Sequence, residues 1–156
     1  MRYAHFVEMR VFSREGEDEE GIISKIKMLF PLDFKEEKIA IDLRSAEGFE
    51  NKRIHILKVN ISKERHIRPV LENLFTRLSQ EDRSTLLSQL ESRLDSNLHF
   101  FMRLDKDELL QDRYLLTETG NCFHMTIAIA AYPHSREIAR EIIKRLCSLS
   151  FIEPEN

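Results

Sequence analysis

Leu98-His99-Phe100-Phe101-Met102-Arg103-Leu104 alternates without a break. Side chains of an extended chain point to opposite sides with a period of two. The stretch is therefore a strand that buries Leu98, Phe100, Met102 and Leu104 and turns His99, Phe101 and Arg103 the other way. A strand with one apolar and one polar side belongs to a sheet that is covered on a single face.

The same alternation fills residues 4–12, where Val7, Met9 and Val11 oppose Phe6, Glu8 and Arg10. Further strands are expected at residues 38–45 and 53–62, joined as a hairpin by the turn-forming stretch 46–51. A small strand is expected at residues 113–118, and a long one from Cys122 to Tyr132 ends at Pro133.

Between these lie helical periods. The acids of residues 15–20 suit a helix N-terminus, after which Ile22, Ile23, Ile26, Leu29 and Phe30 recur at helical spacing until Pro31. Pro69 is placed in the first turn of a second helix, since an interior proline costs about 3 kcal/mol. Val70, Leu71, Leu74, Phe75 and Leu78 form its buried stripe. Ser79-Gln80-Glu81-Asp82 is a capping-box variant that opens a third helix, with Leu86, Leu87, Leu90 and Leu94 facing inward, so that the two form a helical hairpin. A short helical turn follows at 107–111. The last helix, 135–150, buries Ile138, Ala139, Ile142, Ile143, Leu146 and Leu149.

These elements specify an α+β fold of two layers, a mostly antiparallel sheet with helices on one face and the other face open to solvent. One domain spans residues 1–156. At 42% apolar and 33% charged residues, the chain can fill one core under a densely charged surface.

The formal net charge of −3 excludes a protein that coats nucleic acid by bulk electrostatics, so any RNA site must be a local patch. Cys122 and Cys147 belong to no C-x-x-C pair and are expected to be buried thiols in a reducing compartment. No apolar run approaches a membrane span and the first residues lack a signal-peptide core, so a cytoplasmic protein without membrane contact is expected. No metal-ligand spacing or glycine-rich phosphate loop is present, so neither metal nor cofactor is expected.

Several short motifs occur in order: Phe100-Phe101-Met102-Arg103-Leu104-Asp105-Lys106, Arg113-Tyr114-Leu115-Leu116-Thr117, Gly120-Asn121-Cys122-Phe123-His124 and Ala130-Ala131-Tyr132-Pro133. Together they resemble the archaeal RNA-binding proteins described as predicted exosome subunits. His5-Phe6-Val7-Glu8-Met9-Arg10-Val11-Phe12 and the turn Gly48-Phe49-Glu50-Asn51 extend the resemblance over nearly the whole chain. It implies a fold similar to a ribosomal protein that contacts 5S RNA, and a non-catalytic RNA-binding role in RNA processing or degradation. RNA and exosome subunits are the implied partners.

Alternation places Phe6, Glu8, Arg10, Lys58, Asn60, His99, Phe101, Arg103, His124 and Thr126 on the side opposite the apolar one. Interleaved rings and cations of this kind can stack bases and pair with phosphates. The alternative is that they solvate an outer face or pack under a loop or a partner. A second candidate is a cation cluster of Arg103, Lys106 and Arg113, set against pairing of those cations with Asp105, Asp107, Glu108 and Asp112. The RNA-binding set is thus Arg103, Lys106, Arg113, Phe101, His124, Lys58 and Arg10.

The Arg136, Arg140 and Lys144 stripe reads as a solvated helix face. His99, His124 and Asp105 could be imagined as an acid–base group but lack a nucleophile, so no enzyme is expected. The competing function is a protein-interaction or homodimerisation module.

Overall fold

The computed structural model describes residues 1–152. Its strands are β1 (Ala4–Arg14), β2 (Asp42–Glu47), β3 (Arg53–Ile61), β4 (His99–Asp105) and β5 (Cys122–Ile129). Its helices are α1 (Glu19–Leu29), α2 (Glu64–Arg77), α3 (Gln80–Ser88), α4 (Leu90–Arg93), α5 (Lys106–Leu110) and α6 (Arg136–Cys147). The strands form one sheet in the order β2-β3-β1-β5-β4, and every neighbouring pair is antiparallel.

The expected two layers are present. Val7, Met9 and Val11 of β1 are buried together with Leu57, Val59 and Ile61 of β3, Phe100, Met102 and Leu104 of β4, and Phe123, Met125 and Ile127 of β5. Against them lie Ile22, Ile26 and Leu29 of α1, Val70, Leu71, Leu74 and Phe75 of α2, and Ile142, Ile143 and Leu146 of α6. Among the described residues no helix covers the opposite sheet face.

Helix starts follow local chemistry. Asp18 accepts from the Gly21 amide at α1, Ser79 from Asp82 at α3, Asp105 from Glu108 at α5 and Ser135 from Ile138 at α6. Each side-chain oxygen satisfies an amide that the first turn leaves unpaired.

Five expectations need correction. Pro69 lies within α2, which begins at Glu64 with Lys63 as its cap. The proline removes one hydrogen bond, costing about 3 kcal/mol. Five or more apolar side chains buried by the same helix outweigh that, each contributing about 1.5–3 kcal/mol.

The helix after Ser79 breaks at Gln89 into α3 and α4, so Leu86, Leu90 and Leu94 are buried while Leu87 faces out. Nor do α2 and α3 form a simple hairpin. Both pack on α6, and the buried Arg83 links them by donating to the carbonyls of Phe75, Leu78, Cys147 and Leu149.

β2 starts later than residue 38, because Asp33 caps a turn in which Ile39 returns its amide to the Phe34 carbonyl. Residues 113–118 form an irregular segment rather than a strand. It is bonded along β4 through Asp105 to Leu115 and Thr117 to Arg103, and the Leu116 amide is held by Asp82.

Candidate nucleic-acid interface

The open face is organised by strand register. Asp42 pairs with Lys58, Lys58 with Arg10, Arg10 with His124, and His124 with Arg103. Residues directly opposite in an antiparallel sheet share a face with Cβ atoms about 4.5–5.5 Å apart. One row therefore crosses all five strands and carries three permanent cations and an imidazole. The next row is Asn60, Glu8, Thr126 and Phe101, and the third is Phe6, Ala128 and His99.

Rings run across these rows as a chain. Phe6 meets His99 edge-on at 5.3 Å between centroids, His99 meets Phe101 at 6.4 Å, and Phe101 meets His124 at 5.9 Å with planes tilted by 43°. They lean over the short side chains of β5, which explains why Thr126 and Ala128 are only 9% and 4% exposed on a face without helices. Beyond them, His5 and an 81% exposed Tyr132 meet edge-on at 6.0 Å. His5 joins this side because β1 shifts register between Ala4 and Phe6, which spends one extra residue and turns both His5 and Phe6 outward.

Two hollows flank Phe101 and His124. One of about 190 Å³ is lined by Glu8, Arg10 and Thr126 with those two rings. The other, of about 340 Å³, includes Arg93, Arg103, Thr117 and Glu118.

Charge on the face is uneven. Lys58 pairs with Glu8 at 2.7 Å, and the Arg103 guanidinium donates to the Glu118 carbonyl at 2.9 Å. Among the described residues neither Arg10 nor Arg103 has a carboxylate partner within ion-pair distance. Their effect is visible at His124, whose pKa is held below its usual value first by burial and then by the charges of Arg10 and Arg103, against a smaller opposing pull from Glu8. Two cations without a carboxylate partner among the described residues thus stand on either side of His124 in an acidic chain.

The structure separates the expected cation cluster. Arg103 stays on the open face. Lys106 is the first residue of α5 and is 1% exposed, its ammonium donating to the Phe12 carbonyl at 2.6 Å and to Glu17 at 2.9 Å. Arg113 lies just past the end of α5, joined to Glu108 at 2.5 Å. Only Arg103 of the three is available to the face, whereas Arg10, Lys58, Phe101 and His124 are brought together with it.

The Arg136 and Arg140 guanidinia meet Glu91 of α4 at 3.0 and 2.5 Å, and their hydrogen bonds draw its carboxyl down to about 2. Arg136 and Arg140 thus clasp α6 to α4, while Lys144 stays exposed beside Glu141 of its own helix. His99 and His124 stand four residues apart along β5 by register, about 13 Å, and the Asp105 carboxylate caps α5. They share no catalytic pocket. Among the described residues no cluster of His, Cys, Asp or Glu has metal-binding geometry, and no helix is long and apolar enough to cross a membrane.

A family model described as RNA binding matches residues 6–130, which include nearly all of β1 and the whole of the other four strands. The chain belongs to this RNA-binding family. An RNA-binding protein of Pyrococcus abyssi is 28% identical over 141 residues, covering 90% of this chain and 92% of that one. A crystal structure from Archaeoglobus fulgidus superposes with a TM-score of 0.78 at 26% identity, covering 92% of this chain and 99% of the other. A structure from Methanothermobacter thermautotrophicus gives 0.73 at 26% identity, over 94% and 99%. These two structures share the fold of this chain, and the span matched by the family contains every residue of the cationic row.

Signals for the remaining face residues were present in part. Phe6 and His99 follow from alternation. His5 and Tyr132 do not, since one depends on a bulge and the other lies past the end of β5. Arg93, which donates to the Phe101 carbonyl at 3.2 Å, sits on a helix whose break hides its direction.

Proposed function

We propose that the chain binds RNA without catalysis through the open face of the sheet. Arg10, Arg103 and Lys58 meet phosphates, and Phe101, Phe6, His99 and His124 offer ring surfaces to bases. The observation that carries this reading is the register row Lys58, Arg10, His124 and Arg103, interleaved with the ring chain. Cations track a backbone while rings accept unstacked bases, the combination that holds single strands.

Membership of the RNA-binding family and the printed name of the Pyrococcus relative support the same class of ligand. On this reading the protein is a cytoplasmic accessory factor in RNA processing or degradation, working beside exosome subunits. Lys106 and Arg113 are left out of the interface, one buried and the other held by Glu108.

Fluorescence anisotropy with labelled single-stranded and hairpin RNAs tests the proposal. Binding should weaken as salt rises, with a slope of about 0.7 per phosphate neutralised on a single strand. Arg10→Glu with Arg103→Glu should remove most of the affinity while circular dichroism stays unchanged. Absence of binding to varied RNAs at low salt would overturn it.

A further inference from the structure

The two edges of the sheet are treated differently. β4 is lined by residues 113–118, whose backbone bonds to Arg103 and Asp105. Among the described residues no segment lines the outer edge of β2, all six residues of which are exposed. Its Leu43 lies in register with the buried Leu57 on the helix side of the sheet yet is 45% exposed. Neither proline nor a register shift interrupts this edge, so that of the devices that keep open strands apart it has only its short length and the charges of Asp42, Arg44 and Glu47.

The sequence of β2 complements itself about Leu43. We propose that two copies of the chain pair antiparallel through β2, on a two-fold axis at Leu43. In that register Leu43 meets Leu43 of the second copy on the helix side. On the open-face side Asp42 meets Arg44 of the other chain, twice by symmetry. Both charged side chains are accessible, their only mutual contact within the chain being a 3.6 Å pair with 54% and 78% of the side chains exposed.

Neighbouring registers are disfavoured by the same charges. Centring on Arg44 sets two guanidinia against each other, and pairing all six residues end to end sets Asp42 against Glu47 at both ends. Directly opposed like charges destabilise a ladder, and opposite ones support it. The charges favour the Leu43-centred register over these two, and the pairing joins two five-stranded sheets into one, with both open faces on the same side. The proposal does not depend on those faces binding RNA.

Sedimentation equilibrium tests it. The chain should self-associate to a dimer as concentration rises. Asp42→Arg alone and Arg44→Asp alone should each be monomeric, because each variant opposes like charges at both contacts. An equimolar mixture of the two variants should dimerise again, since every contact between positions 42 and 44 then joins opposite charges. All three positions lie on an exposed strand, and circular dichroism checks that the fold is kept. A chain that stays monomeric at its highest soluble concentration, single variants that dimerise like the parent, or a mixture that remains monomeric would each overturn the pairing.

Discussion

Lys106 and Glu17 form an ion pair at 2.9 Å that ties the start of α5 to the turn between β1 and α1. The ammonium is almost wholly enclosed and the carboxylate side chain is 30% exposed. Glu17→Gln would keep a hydrogen-bond acceptor for the ammonium but remove the negative charge that balances it. Removing one partner of a buried pair costs about 3–5 kcal/mol. The partial exposure of Glu17 places the expected loss near the lower end, seen as a fall in midpoint in chemical denaturation.

The same pair fixes an acid limit. Burial raises the pKa of Glu17, but the hydrogen bonds from Lys106 and the Arg14 amide, with the charges of Lys106 and Arg14, outweigh it and leave the carboxyl below 4.5. Glu91, held by Arg140 and Arg136, lies at about 2. For carboxyls lowered by folding, the stabilisation is complete above the unfolded value and disappears as pH falls through the folded one. These two carboxyls should add no pH dependence above about pH 5 and a decline toward about pH 2, and Glu17→Gln should flatten part of that decline in urea titrations.

Arg83 is a second structural cation that the sequence does not mark. It is 2% exposed and its guanidinium donates to four carbonyls near the C-terminal ends of α2 and α6. Arg83→Met would strand several of those carbonyls, a loss of about 3 kcal/mol or more. Arg83→Lys should recover little, because an ammonium cannot reproduce the fork. For a chain of this size, calorimetry should show a Tm lowered by roughly 6–12 °C.

Phe101→Ala should reduce RNA affinity with little change in folding, since the ring lies half-buried on the open face. One stacked base contributes about 1–3 kcal/mol. Affinity should therefore fall by roughly 5- to 150-fold in anisotropy titrations. Unchanged affinity would show that the ring serves packing alone.

His124 should protonate below its ordinary value of 6.5, because burial and then Arg10 and Arg103 oppose its protonation. For a histidine lowered by folding, the contribution to stability is complete above the unfolded pKa and is lost as pH falls through the folded one. NMR titration of the imidazole should show a midpoint below 6.5 that moves up in Arg10→Gln.

The faces of β1, β3, β4 and β5 were legible because each strand alternates, and alternation needs nothing beyond local chain geometry. Helix starts at Ser79 and Ser135 were legible for the same local reason. Three features were not. Pro69 is tolerated because packing by the whole of α2 exceeds a local cost. Leu87 faces out because the helix breaks at Gln89. Residues 113–118 are held by Asp82 and β4, which are distant in sequence.

The sequence by itself determined that Arg10, Lys58, Phe101, Arg103 and His124 share the side of the sheet opposite the core. Only the tertiary structure decided that four of them stand in one row, because register is set where strands meet and a strand carries no record of its partner's offset. Tertiary contact likewise drew Lys106 inward to Glu17 and left Arg113 with Glu108. A charge next to a strand end can face either solvent or core, and the choice depends on which carboxylate or carbonyl the folded chain brings within reach.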